Sequence, residues 1–345
     1  MALINDLGKI IVFLFLLLSI FLITAKSPRK LPNYLFAAFL LVSVVDLSGF
    51  FLPPSDNNLI KGFKLSSILL QMPLYYLYVN SACYYNFTIS RKHLLHGIPF
   101  LFFFGWFGLV GVTGQNDQVF DIVSTIQYYG YIVAVFWALR TFRKLYQENY
   151  SSQHDLTYKW LLRTTILFLI GNCFVMLRGF VRTDQTSFLM LYTFTSLYVL
   201  FVISWFVLNA LYRPNLLAGI NKDLIPVETA NVPKEEPEQL KVLLKFMETE
   251  KPYLDDKLTL QKLAKLTDLQ EKQLSVLINQ HTGKHFFDFI NEFRINDAKK
   301  LLKDQSQLTV LEILYEVGFN SKSSFYTAFK KETGITPTDY RKSVG

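Results

Sequence analysis

The chain has 345 residues, enough for two or more domains, and 51% of them are hydrophobic against 18% charged, with 32 Phe and 19 Tyr. That balance excludes an ordinary soluble protein. The net charge of +8 is held unevenly: residues 1–233 carry 17 Lys and Arg against 10 Asp and Glu, and residues 234–345 carry 18 against 17. The basic excess therefore lies in the apolar half, where it flanks membrane segments, and a nearly neutral C-terminal part must make any polyanion contacts from local charge distribution. The two cysteines, Cys83 and Cys173, stand in apolar stretches. They imply neither a disulfide framework nor a cysteine metal site and read as small core residues. No phosphate loop, GxSxG or HExxH pattern occurs, so a non-enzyme without metal or cofactor is expected.

In chain order, residues 7–24 form a near-continuous apolar run followed by Lys26, Arg29 and Lys30. A signal peptide is the competing reading, but no small-residue cleavage pattern follows and more runs come after it. Further runs cover about 33–52, 65–87, 97–113, 121–139, 160–178 and 188–210. Each is near the ~20 residues that a membrane helix needs, which predicts seven spans with no room for a soluble sensor domain. One set of connections holds Lys26, Arg29, Lys30, Arg91, Lys92, Arg140, Arg143, Lys144 and Lys159, and the opposite set holds Lys61, Lys64 and Arg182. The positive-inside rule puts the richer set in the cytoplasm, the N-terminus outside and the C-terminus inside a bacterial cytoplasmic membrane.

Asp46 lies inside the second run, and Arg178 closes the sixth. Such groups pair or face a cavity, so an outward-opening site for an unknown small ligand is one reading. A structural Asp–Arg pair, or an arginine that snorkels to the interface, is the other. Asn80, Asn86, Asn172, Gln71 and Gln127 read as interhelical hydrogen-bond partners. Gly105, Gly108, Gly111 and Gly114, three apart in the fourth run, read as a close-packing stripe.

Arg213-Pro214 ends the last run, and residues 213–237, mixing Pro, Asn, Gly and Glu, read as a flexible cytoplasmic linker. From Glu238 the pattern turns helical. Leu240, Leu243, Leu244 and Met247 share a face that ends at Lys251-Pro252. Thr259 caps a helix that buries Leu260, Leu263, Ala264 and Leu266. After a turn at 267–269, a helix over about 271–281 buries Leu274, Leu277 and Ile278 and stops at Gly283. Residues 286–303 form a longer helix, and Thr309 with Glu312 makes a capping box for the next. That helix closes at Gly318. Ser321 caps a last helix that buries Phe325 and Phe329 and turns Ser323, Ser324, Tyr326, Thr327 and Lys330 outward. Two short-helix, glycine-turn, second-helix units describe two helix-turn-helix motifs.

The last stretch resembles the second helix-turn-helix of the AraC/XylS transcription regulators. It carries the Gly318-Phe319 turn, then Phe325, Ala328-Phe329-Lys330-Lys331, Thr333-Gly334, Thr336-Pro337 and Tyr340-Arg341. The first unit resembles the same family at Leu263-Ala264, Leu274-Ser275, Ile278-Asn279 and Gly283, and departs from it at Gln270, where the family commonly has a Ser or Thr cap. Phe286, Phe289, Arg294 and Ala298 through Leu302 match the family's central helix. The resemblance covers about 238–341. It implies two second helices entering adjacent major-groove segments of double-stranded promoter DNA about 34 Å apart. It places Lys272, Ser275, Val276 and Asn279 of one, and Lys322, Ser323, Ser324, Tyr326, Thr327 and Lys330 of the other, toward bases or phosphates. Lys322, Lys330 and Lys331 suit phosphates, which position without specifying sequence. Any one of these lysines is equally a solvated surface charge.

The expected architecture is thus all-α. A polytopic seven-span bundle (1–212) is followed by the linker (213–237) and a cytoplasmic double helix-turn-helix domain (238–345). The expected function is a membrane-embedded one-component transcription regulator whose partners are promoter DNA, the lipid bilayer, the transcription machinery, a second copy of itself and an unknown small ligand. The alternatives are a transporter or enzyme with an autoregulatory DNA-binding module, and a regulator released by proteolysis of the linker.

Overall fold

The computed structural model describes all residues except 1, 28, 54, 152–155, 182–184, 213–237, 305, 306 and 345. The expected linker lies outside the described residues. Those described are helical throughout apart from turns, with one isolated antiparallel bridge, between Tyr150 and Thr259. They form two compact units. The first holds the chain to Arg140 with the described residues of 156–212; the second holds the chain from Thr141 to Ser151 with the described residues from 238 on.

The first unit contains α1 (Ala2–Thr24), α2 (Lys30–Leu47), α3 (Asn58–Cys83), α4 (Ile98–Val110, led in by a 3-10 stretch over Arg91–Gly97), most of α5 (Gly114–Asn149), α6 (Leu156–Phe180) and α7 (Gln185–Tyr212). Six of these seven stretches are long and apolar enough to cross a membrane, by length and composition alone. The 26-residue α3 is not among the six. Its sequence includes Lys61, Lys64, Gln71 and Asn80.

Packing here is mostly aromatic. Phe36 stacks on Tyr78 with ring centroids 4.6 Å apart, and Phe168 meets Tyr75 edge-on at 4.8 Å. The buried hydroxyls find partners across helices: Tyr75 Oη bonds Thr165 Oγ1 at 2.8 Å, and Trp160 Nε1 donates to Tyr78 Oη at 3.1 Å. Gln127 does act between helices, donating to Leu69 O at 3.1 Å, whereas Asn80 bonds its own helix at Tyr76 O. The expected glycine stripe is shorter than the sequence suggested. Gly105 and Gly114 have open space around them. Gly108 approaches Leu59, and Gly111, at φ +77°, closes α4 against Asn58.

Arg29, in the connection between α1 and α2, donates to the carbonyls of Ser81, Ala82 (3.4 Å) and Tyr84 (2.7 Å). Ser81 and Ala82 are in the last turn of α3, whose carbonyls the helix leaves unpaired, and a cation there also complements the helix dipole. The first connection and the end of α3 therefore lie at the same end of the unit.

The second unit is built on α11 (Phe286–Asp304), preceded by α8 (Glu238–Glu250), α9 (Leu260–Leu266) and α10 (Glu271–Thr282), and followed by α12 (Val310–Glu316), α13 (Lys322–Thr333) and α14 (Pro337–Val344). At 19 residues α11 is about 28 Å long and belongs to two cores. Phe286, Phe289 and Ile290 join Leu243, Met247, Leu263, Leu274 and Ile278 in one. Ile295, Ala298 and Leu302 join Ile313, Leu314, Phe325 and Phe329 in the other. One helix thus sets the spacing of two three-helix clusters. Leu266, expected in the first core, is 57% exposed, because α9 ends there and its last turn points away.

Candidate nucleic-acid interface

The two helices expected to read DNA, α10 and α13, are each twelve residues long and end alike. Gly283 (φ +67°) and Gly334 (φ +81°) take the left-handed conformation at their C-caps. Their starts differ. Ser321 Oγ accepts from Ser324 N at 3.3 Å, capping α13 as the sequence predicts. At α10 the long side chain of Gln270 is a poor cap, but Gln273 Oε1 reaches back to accept the Gln270 N–H at 3.2 Å.

The turn before α13 is fixed by Gly318 for two reasons. Its φ is +85°, and a Cβ there would stand 2.6 Å from Tyr253 O and 2.7 Å from Leu254 O. The second helix-turn-helix therefore packs its turn directly on the backbone that follows α8.

Arg294 joins the two halves at the middle of α11. It is 1% exposed, and burial pushes its pKa down to about 10, so it stays charged at neutral pH. Its Nε donates to Tyr253 O at 2.7 Å and its Nη2 to Asp255 O at 2.8 Å, and its guanidinium lies 5.5 Å from the Phe319 ring centre. One turn on, Asp297 accepts from Tyr253 Oη at 2.7 Å and from Lys251 and Lys300 at 3.0 Å each. Burial disfavours the Asp297 carboxylate, but these hydrogen bonds outweigh it and hold its pKa below the usual range. Lys331 Nζ reaches Asp288 on α11 at 2.7 Å, so part of the positive face of α13 is spent on the protein itself.

On α10, Lys272 is exposed, and Val276 and Asn279 are half-buried; on α13, Lys322, Ser323, Thr327 and Lys330 are exposed and Tyr326 is half-buried. Two expected members do not reach the open face. Ser275 is 7% exposed and Ser324 4%, the latter bonded through Oγ to Ser321 Oγ at 2.7 Å. Both are small enough to be covered by the residues around them. The ring of Tyr326 lies under Lys322 Nζ at 5.3 Å, and its hydroxyl meets Thr338 Oγ1 at 3.3 Å. Thr338 was not singled out from the sequence, although it lies within the Thr336-to-Arg341 pattern.

The first unit holds a separate cavity of about 200 Å³ lined from six helices. Ser43, Asp46, Gln71, Asn172, Tyr128 and Tyr198 bring polar atoms to a wall that is otherwise apolar. Asn172 Oδ1 is buried there with no hydrogen-bond partner among the described residues. Asp46 lines this cavity and Arg178 does not. The guanidinium of Arg178 sits 4.6 Å from the Tyr192 ring centre and 5.8 Å from that of Phe188. No cluster of His, Cys, Asp and Glu able to hold a metal ion occurs among the described residues.

Residues 263–343 match a family of helix-turn-helix domains. The HTH-type transcriptional regulator GlxA of Rhizobium meliloti (strain 1021) is 36% identical over 83 residues, 24% of this chain and 25% of that protein. The uncharacterized transcriptional regulatory protein YesN of Bacillus subtilis (strain 168) is 34% identical over 73 residues, 21% of this chain and 20% of that protein. Among solved structures, the C-terminal domain of AraT, a response regulator from Geobacillus stearothermophilus, is 28% identical. That match covers 32% of this chain and 88% of that one, with a TM-score of 0.29. The chain spans about a quarter or less of these two curated relatives. The C-terminal part of the chain is a helix-turn-helix domain of the kind found in transcriptional regulators.

Proposed function

We propose that this chain is a membrane-embedded, one-component transcription regulator of AraC type, with its C-terminal module on the cytoplasmic side of a bacterial membrane. The observation that carries the DNA-binding half is the matched pair α10 and α13, both twelve residues and both closed by a left-handed glycine. A single helix carries their two cores. That arrangement suits two adjacent major-groove segments. On the open faces, Lys272, Lys322 and Lys330 suit phosphates, and Asn279, Ser323, Tyr326 and Thr327 suit base edges.

The membrane half rests on six long apolar helices, with α3 completing a seven-helix unit as a seventh span. The reading with the N-terminus outside rests on the basic residues of the connections, Arg29, Lys30, Arg91 and Lys92 among them. The cavity lined by Asp46 and Asn172 is the candidate receptor for a small ligand with an apolar body and a polar end. A ligand that binds one arrangement of the helices better than another shifts the module between DNA-competent and incompetent states.

The test is selection of genomic DNA fragments by the full-length protein held in bilayer nanodiscs. A discrete two-part site is expected. The Lys322→Ala variant should weaken all sequences together and reduce the salt slope by about 1. Tyr326→Ala should instead lower preference for the selected site about tenfold. No enrichment of any sequence by the wild type would refute the reading.

A further inference from the structure

Arg294 is buried and charged, and a buried guanidinium costs heavily unless each of its N–H groups has an acceptor. All five do. Nε and one Nη2 hydrogen go to Tyr253 O and Asp255 O, and an Nη1 hydrogen goes to Asn291 Oδ1 at 3.5 Å. The other two go to a residue 143 positions earlier: Nη1 to Ser151 O at 3.0 Å, and Nη2 to Ser151 Oγ at 3.2 Å. Ser151 is fixed in turn. Its N–H and Oγ both donate to Leu258 O, at 3.3 and 2.6 Å, and Tyr150 pairs antiparallel with Thr259, the cap of α9.

The chain leading to Ser151 is the end of α5. This helix runs unbroken from Gly114 to Asn149, about 54 Å, against a hydrocarbon core of about 30 Å. Its last turns carry Phe142, Leu145 and Glu148, all buried. Glu148 Oε1 lies 3.8 Å from Lys144 Nζ and 4.0 Å from His285 Nδ1. Arg143 and Gln147 line a cavity of about 340 Å³ whose other walls include Asn291 of α11 and Thr327 and Lys331 of α13. The region matched by the helix-turn-helix family begins only at residue 263, so this segment is an addition to the shared domain.

We propose that Thr141–Ser151 is a docked component of the DNA-binding module, seated by Arg294, and that α5 conveys the state of the membrane half to α11 and α13. The partner this surface takes is a segment of the same chain. The module is then joined to the spans twice, through α5 and through 213–237, and cutting the second link alone does not free it. The inference concerns how the module is held, so it stands or falls separately from which DNA, if any, is bound.

The test uses the full-length chain in its membrane, with Cys83→Ala, Cys173→Ser, Tyr150→Cys and Thr259→Cys, and a protease site inserted within 213–237. Directly opposed residues of an antiparallel bridge stand about 4.5–5.5 Å apart at Cα, within the span of a disulfide. Mild oxidation followed by cleavage should leave the N- and C-terminal pieces joined in one band that reductant splits. Either single-cysteine variant should give two bands. The proposal is overturned if the oxidised double variant separates after cleavage with both thiols still open to a maleimide. It is also overturned if the disulfide forms only between two copies of the chain, because the docked segment would then belong to a neighbour.

Discussion

Residues that hold the module together are distinct from residues that face outward, and the small ones were the hardest to assign from sequence. Ser275 and Ser324 stand at the register that faces outward, yet both are covered, since a side chain of one hydroxyl is easily overlain by longer neighbours. Phe325, Phe329, Leu274 and Ile278 were legible because a large apolar side chain at helical spacing has one place to go. Asp297 was not legible at all: three donors converge on it from Lys251, Tyr253 and Lys300, and two of these are remote in sequence. Its depressed pKa makes a signed prediction. A carboxyl whose folded pKa lies below its unfolded value of about 3.9 adds stability above that value, and the contribution is lost as the pH falls through the folded pKa. The protection of α11 amides, taken relative to their intrinsic exchange rates, should therefore fall on acidification below about pH 4 in the wild type. In Asp297→Asn, protection should be lower at neutral pH and change less over that window. An identical acid limb in both proteins would remove Asp297 from the account.

Element boundaries in the module could be read closely because their signals are local. Thr259, Thr309 and Ser321 cap as predicted, and glycines at 283, 318 and 334 all have positive φ. The signals were less informative in the apolar half, where every face is hydrophobic and periodicity carries little information. There the fourth run, 97–113, proved to hold a thirteen-residue helix led in by a 3-10 stretch, and α5 continued ten residues past its apolar run. Gly283 and Gly318 look equivalent in sequence but differ in surroundings. Nothing lies within 4 Å of a Cβ built at 283, whereas at 318 it would strike two backbone carbonyls. Gly283→Ala should therefore cost about 1–2 kcal/mol, the price of a left-handed alanine. Gly318→Ala should cost clearly more, because the backbone at Tyr253 and Leu254 must also move. Hydrogen-exchange protection in the full-length protein, read across α10 for Gly283→Ala and across α12 and α13 for Gly318→Ala, measures both, and equal losses would contradict the packing described.

At the scale of the whole molecule, composition separates an apolar half from a half of ordinary polarity, and helical spacing, caps and the family resemblance mark the latter as a helix-turn-helix module. The membership of 141–151 is not so marked. Nothing local in Ser151 announces that its acceptors serve an arginine 143 residues later, and the segment reads as an ordinary polar break between two apolar runs. The central claim is that α10 and α13, spaced by α11, read two neighbouring segments of one DNA. Hydroxyl-radical footprinting of the full-length protein on a selected fragment tests it most directly. Two protected segments on one face of the duplex, about one helical turn or 34 Å apart, are predicted, with Tyr326→Ala losing protection at one of them and keeping the other. A single protected segment that both Tyr326→Ala and Lys272→Ala erase would mean that the two helices do not read DNA together.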